Sequence, residues 1–287
     1  MTELSGQAAA AQPSVESDPS VVHQTFRALT MNTFGVPTHH TNARMRTLAR
    51  DLNAADLDAV CFQEVQLSYY NRLLRREFHG LPHAAFEPHI YAPKGGLLTL
   101  SRHPLRTFTF EPFRTRRLRL GPALADWALY KGALVTHIEE QATPIIIVNT
   151  HLNANYDGNW SPANRYAAIE HRQAQQLADI VQGLDPSALV FVVGDFNFPR
   201  GCWIYEDFVQ AAGVIDPLAA RQEPTFRPSR LIPAHFALPI DFAFVRPPHQ
   251  QTVSVQAQVL FDERVEMVNG KKRHLSDHHA VRVDVQW

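Results

Sequence analysis

The apolar segments of this chain keep breaking off at a polar side chain, and that habit constrains the fold more than any bulk property. FRALTMNTF (26–34) carries Asn32 near its end, and LDAVCFQEV (57–65) carries Glu64. TPIIIVNTHLN (143–153) closes on His151 and Asn153, and SALVFVVGDFN (187–197) closes on Asp195 and Asn197. Asp241 opens IDFAF, and Asp277 with His278 precedes the last run in LSDHHAV. Apolar runs of about four to eight residues between turn formers read as buried strands. A charge at the margin of such a core costs free energy unless it is paired or holds a metal. Taken singly, each of these residues reads as a turn or cap, because Gly, Asp, Asn and Pro all favour turns. Occurring together, they read as one polar rim.

Between the strands lie helical patterns. NARMRTLARDLNAA (42–55) sets Met45, Leu48 and Leu52 at helical spacing, and YYNRLLRREF (69–78) is a second helix. A long amphipathic helix is expected over 163–183, with Tyr166, Ile169, Leu177, Ile180 and Val181 near one face. WIYEDFVQAAG (203–213) ends at Gly213, a helix stop signal. GGLLTLSR, LRTFTFEPF and DWALYKGALVTHI follow one another as strands, and PIDFAFVR, VSVQAQVLF and HHAVRVDVQW complete the set. Roughly ten strands mixed with four helices imply an α/β (α+β) fold in which two sheets pack face to face with helices outside.

The 287 residues, 45% of them hydrophobic, suffice for a sizeable core, and no Gly/Ser linker divides them. Residues 1–22 read as a disordered leader, leaving 23–287 as one folded domain. The leader has neither the basic start nor the apolar stretch of a secretory signal, and no segment is apolar enough to span a membrane, so a cytoplasmic location is expected. Cys61 and Cys202 make no disulfide framework. A formal net charge of -1 argues against a protein that coats nucleic acid, while leaving room for a local basic patch.

Asn32, Glu64, Asp195 and Asp277 supply oxygen ligands of the kind a hard divalent ion such as Mg2+ accepts. His151 and His278 supply imidazoles able to hold or protonate a phosphate oxygen. That inventory suits metal-assisted attack of water on a phosphate ester. A zinc protease site would need HExxH, which is absent, and Ser276, Asp277 and His278 are consecutive, which does not place them as a nucleophilic relay.

The order and spacing of these motifs resemble the endonuclease/exonuclease/phosphatase superfamily over residues 26–286. The resemblance implies a four-layer sandwich of two packed mixed β-sheets flanked by helices, with Mg2+ as cofactor and Mn2+ as a substitute. It places Asn32 and Glu64 at the metal, with Asp277 as a further metal-side carboxylate. His151 then contacts the scissile phosphate, Asp195 activates water, Asn197 orients it, and Asp241 fixes His278. The spacing of Asp195 and Asn197 is expected to keep both side chains on one side of an extended segment. His278 rather than its neighbour His279 fits the Ser-Asp-His pattern.

Within the superfamily, GGLLTLSRHPL, DWALYKGAL, THLNA and GDFNF are most similar to neutral sphingomyelinases. That likeness implies a pairing of Asp126 with Lys131 as a switch, and roles for Asn153 and for Arg172 with Gln175 near the substrate. It favours a lipid headgroup over nucleic acid as the partner, with peripheral membrane contact. A nuclease is the alternative, followed by an inositol-phosphate phosphatase and a non-catalytic phosphate-binding module. Arg114, Arg116, Arg117 and Arg119 read either as an anion-binding stretch or as a charged strand edge. Tyr156 and Trp160 stand in a loop long enough to overhang the site.

Overall fold

The computed structural model describes residues 24–37, 40–114, 130–139, 143–229 and 232–287. β1 (Thr25–Asn32) runs parallel to β2 (Ala59–Gln63), with α1 (Thr41–Asn53) between them in the chain. After α2 (Ser68–Glu77), β3 (His83–Ala85) and β4 (Leu98–Ser101) pair antiparallel. β5 (Leu105–Pro112), β6 (Gly132–Ile138) and β7 (Ile145–His151) are antiparallel neighbours. α3 (Arg165–Gln182) then carries the chain to β8 (Leu189–Asp195), parallel to β7. Past α4 (Trp203–Ala212) come β9 (Asp241–Arg246), β10 (Ser254–Leu260), the short hairpin β11 (Val265–Glu266) and β12 (Lys272–Arg273), and β13 (Ala280–Gln286).

Two main sheets result, ordered β10-β13-β1-β2-β4-β3 and β5-β6-β7-β8-β9. Among the described residues, the three largest apolar clusters hold four layers together. Leu29, Met31, Val60 and Phe62 pack under α1 and α2 through Met45, Leu48, Leu52, Leu73 and Leu74. Val148, Val190, Val192 and Phe244 pack under α3 and α4 through Ala174, Leu177, Val181 and Phe208. Phe26, Ala28, Cys61, Ile147, Phe191, Val193, Val245 and Val283 fill the seam between the sheets. Each fully buried Phe or Leu there contributes roughly 1.5–3 kcal/mol.

The expected helices form at nearly the expected places. Asn164 caps α3 by accepting from the Tyr166 and Ala167 N–H groups, and Gly213 ends α4 in the left-handed conformation at φ 61°. Among the described residues there are thirteen strands, because β3, β11 and β12 are two or three residues long and too short to show an alternating pattern. No helix of the described residues is long and apolar enough to cross a membrane. The expected leader lies outside the described residues, as do the first residues of the strand anticipated from Asp126.

Candidate active site

Side chains of a strand alternate between its two faces, so the seam-facing set of each strand can be read off. On β1 it is Phe26, Ala28, Thr30 and Asn32; on β7, Ile145, Ile147, Asn149 and His151; on β8, Leu189, Phe191, Val193 and Asp195. Each row is apolar in the middle of the sandwich and polar at one end. Register aligns those ends. His151 pairs with Asp195 across the parallel β7–β8 ladder, and Asp195 pairs with Asp241 across the antiparallel β8–β9 ladder. Three ionisable residues thus stand side by side at one margin of the five-stranded sheet.

Asp195 is the hub. Its Oδ2 accepts from Asn32 Nδ2 at 2.9 Å and lies 3.3 Å from His151 Nε2 and 3.7 Å from His278 Nε2. The same Asn32 amide donates to Glu64 Oε1 at 3.1 Å, and Gln66 Nε2 donates to Glu64 Oε2 at 3.1 Å. His278 Nδ1 faces Asp241 Oδ2 at 2.9 Å and Oδ1 at 3.2 Å. Ser276 Oγ donates to the Asn32 carbonyl at 2.7 Å, tying the segment that carries Asp277 and His278 to the end of β1. Asn32, His151, Asp195, Asp241 and His278 are buried, and Glu64 and Asp277 are half-buried.

Burial pushes the Asp195 carboxyl up to about 7, against the pull of the His278 charge. Burial likewise raises Glu64, although His278 and Lys131 oppose it. For His278 burial works against the charged form, but the Asp241 and Asp195 carboxylates overcome it and hold the imidazole protonated, well above its ordinary range. His151 goes the other way. Burial, with the positive charges of Lys131 and His278, keeps it neutral. Two histidines on one carboxylate therefore differ in protonation because only His278 has a second carboxylate.

Local backbone serves this packing. Glu64 and Asn197 both adopt left-handed conformations, at φ 54° and 60°, a strain of order 1–3 kcal/mol that tends to concentrate at functional sites. Gly194 immediately precedes Asp195 at φ 146°, and a Cβ there would sit 2.0 Å from the Thr150 carbonyl oxygen. Phe196 and Phe198 pack behind the site, Phe196 meeting Phe242 and Phe244 at ring-centroid distances of 5.3 and 5.2 Å.

Several expectations change in detail. The chain is not extended at Asn197; it turns there, with the Asn197 N–H donating to Asp195 Oδ1 at 3.1 Å and Nδ2 to the Leu152 carbonyl at 2.9 Å. The two-residue spacing is that of a side-chain-closed turn rather than of strand alternation. Asn32 offers its nitrogen, not its oxygen, to the carboxylates, since Oδ1 accepts from the Phe34 N–H at 3.0 Å. Direct ligation through oxygen would require the amide to turn over. Asn153 is held from α3, but by Gln173, which accepts from its N–H at 2.8 Å and donates to its Oδ1 at 2.5 Å. Arg172 and Gln175 are exposed. His279 faces Arg227 rather than Asp241. Lys131 is buried close enough to influence Glu64, His151 and Asp195, while its expected partner Asp126 lies outside the described residues, as do Arg116, Arg117 and Arg119. Arg114 is exposed, its N–H donating to Gln176 Oε1 at 2.7 Å. Trp160 anchors its loop by accepting from Trp203 Nε1 at 2.5 Å.

A buried amide pair escaped the motif reading. Gln63 Nε2 donates to Asn149 Oδ1 at 2.8 Å across the seam, and Asn149 Nδ2 donates to the Phe62 and Leu98 carbonyls at 3.2 Å each. The signal was an amide at a seam-facing position inside VCFQE and IIIVN, where an apolar residue belongs.

A cluster of carboxyl groups in which Lys131 and His278 act on Glu64 and Asp195, and Arg44 on Glu64 and Asp277, suits a metal cation. The ligand atoms of Asp195, Asp241 and His278 all lie within 4.8 Å of one another. Asp241 and His278 already bond each other, so Glu64 and Asp277 beside them are the further oxygen donors suited to a hard ion.

Known proteins share this architecture. The "Putative neutral sphingomyelinase" of Drosophila melanogaster is 25% identical over 268 residues, or 88% of this chain, which spans only 59% of that relative's length. Sphingomyelinase C from Streptomyces griseocarneus superposes with a TM-score of 0.68 at 18% identity, over 91% of this chain and 99% of that one. The beta toxin from Staphylococcus aureus, in a structure with bound magnesium ions, gives 0.68 at 16% identity, over 91% and 99%. At such identities the solved structures testify to the fold. The Endonuclease/Exonuclease/phosphatase family matches residues 29–278, which take in every polar strand end described above, and the chain belongs to that family.

Proposed function

We propose that this protein is a metal-dependent phosphodiesterase in which Asp195 activates water to attack phosphorus, with a phospholipid headgroup ester as substrate. The observation that carries the reading is the meeting on Asp195 Oδ2 of Asn32 from one sheet, His151 from the other and His278 from the loop before β13. Glu64 and Asp277, with Asn32 beside them, would hold the ion, Mg2+ by preference with Mn2+ as a substitute. When bound, the ion supplies charge neutralisation at the phosphoryl oxygens and the leaving oxygen.

The chain's own groups account for the rest. A carboxyl pushed up to about 7 is matched to taking a proton from water near neutral pH. His278, kept protonated by Asp241, presents an N–H to the phosphate, and neutral His151 contacts it from the other side of Asp195. Asn197 orients the water from the turn that its own side chain closes. Lys131 adds a fixed positive charge near the metal side.

An apolar chamber of about 310 Å3, walled by Tyr156, Trp160, Phe226, Phe236 and Leu238, opens beside Asn197 and His278. It supports a substrate with an apolar or aromatic group next to the scissile phosphate, and with the net charge of -1 it favours lipid over nucleic acid. The test is incubation with Mg2+ and sphingomyelin, a phosphatidylinositol phosphate, plasmid DNA or bis-p-nitrophenyl phosphate, beside Asp195→Ala. Cleavage that falls at least about a hundredfold in the variant is expected. Failure to cleave any phosphodiester overturns the activity, and cleavage of nucleic acid alone overturns the lipid.

A further inference from the structure

A second cleft, of about 840 Å3, adjoins the site at Ser276 and Asp277. Arg227, Arg264, Lys271, Lys272 and Arg273 line it, three of them consecutive on the hairpin of β11 and β12. Elsewhere the chain pairs its cations readily: Arg27 and Arg102 with Asp56, Lys94 with Glu87, Arg200 with Asp216, Arg282 with Asp284. Among the described residues, none of the five cleft cations has a carboxylate within the 4.0 Å ion-pair distance. Arg227 is fixed by oxygens that carry no charge, donating to the Ser276 carbonyl at 3.0 Å and the Asp262 carbonyl at 2.7 Å. Its guanidinium is thereby locked to the segment bearing Asp277 and His278, with the Asp262 and Asp277 carboxylates near enough to act on its charge but beyond ion-pair distance.

Five cations without an ion-pair partner among the described residues, gathered in one concavity, repel each other and raise the local potential, which an anion relieves. The bulk charge of -1 hides this concentration. We infer that the cleft is a subsite for a second phosphate carried by the same substrate whose diester lies at Asp195. The inference rests on the phosphodiesterase reading and narrows it: the preferred substrates bear two phosphates, one cleaved and one held. Asp277, the one acid among the described residues of the cleft wall, is assigned to the metal side and marks the boundary between the two anion positions.

Two substrate pairs, each differing by one phosphate, test this and separate its sources. Glycerophosphoinositol with and without a 4-phosphate represents a lipid headgroup. Thymidine 5′-(p-nitrophenyl phosphate) with and without a 3′-phosphate represents a nucleic-acid backbone. In at least one pair the two-phosphate member should show a KM at least about tenfold lower, weakening as salt is raised. Lys272→Gln combined with Arg273→Gln, both exposed on the hairpin, should erase that preference while leaving kcat on the one-phosphate member unchanged. Equal KM within both pairs, or a preference that survives in the double variant, overturns the subsite. Calorimetric titration of the same pairs into Asp195→Ala reads binding without turnover. A hairpin-dependent preference there, with no hydrolysis by the native chain, would keep the subsite and sink the phosphodiesterase reading instead.

Discussion

Asn32 and Asp195 meet at 2.9 Å although 163 positions separate them and they sit in different sheets. Because the same Asn32 amide also donates to Glu64, one side chain holds a buried and a half-buried carboxyl group together. Asn32→Ala should therefore leave both facing each other without a shared donor. Loss of about 1–3 kcal/mol of stability is expected in urea titrations, the range for leaving buried polar groups unsatisfied. Activity should fall as well, and a variant of native stability would show that the bridge is incidental.

A cation held by Glu64 and Asp277 would bind the folded state alone. Millimolar Mg2+ or Mn2+ should raise Tm, and saturation a hundredfold above Kd corresponds to about 2.7 kcal/mol. Glu64→Gln should abolish most of that rise. An equal metal-induced shift in wild type and variant would move the ion elsewhere.

Asp241 touches His278 through both oxygens. Asp241→Asn keeps the shape but removes the charge that holds the imidazole protonated. A drop in kcat/KM of at least about a hundredfold is expected, on the scale of other general acid–base losses, with NMR showing His278 titrating at lower pH than in the native chain. Unchanged His278 titration would refute the pairing.

Gln63 and Asn149 bond across the seam just behind Glu64 and His151. Asn149→Leu takes one acceptor from the Gln63 amide, leaving it Thr30 Oγ1, and removes a donor from the Phe62 and Leu98 carbonyls, so destabilisation of about 1–3 kcal/mol is expected from denaturant midpoints. If the pair also sets the spacing of the two rims, kcat should fall more than KM changes. Loss of stability with kcat intact would confine the pair to a structural role.

Gly194→Ala forces a methyl group into the Thr150 carbonyl. Opening β7 from β8 at that point would separate His151 from Asp195, and destabilisation beyond about 3 kcal/mol is expected in thermal unfolding. Gly80→Ala, where a Cβ meets nothing within 4 Å, is the control and should stay within about 0.5 kcal/mol.

Much of this molecule is legible before folding. The α3 and α4 patterns, with Asn164 and Gly213 at their ends, follow from local spacing and capping, and the polar strand ends stand out because an acid or imidazole interrupts an apolar run. The Gln63–Asn149 pair is hard to see because each amide alone is one polar residue in a strand. The cation cleft is harder still: Arg227 and Arg264 come from separate loops and join Lys271, Lys272 and Arg273 of a hairpin whose strands are too short to leave a pattern.

Alternation and capping act within a few residues, so the order of the chain alone settles that Asn32, His151 and Asp195 each share a face with apolar neighbours. Which strands lie beside one another, and at what offset, depends on pairings between residues far apart in the chain, from tens of positions for β7, β8 and β9 to more than two hundred for β1 and β13. Folding in three dimensions therefore chose that His151, Asp195 and Asp241 fall level, that Asn32 turns its nitrogen toward two carboxylates, and that His278 alone acquires the second acid that keeps its charge.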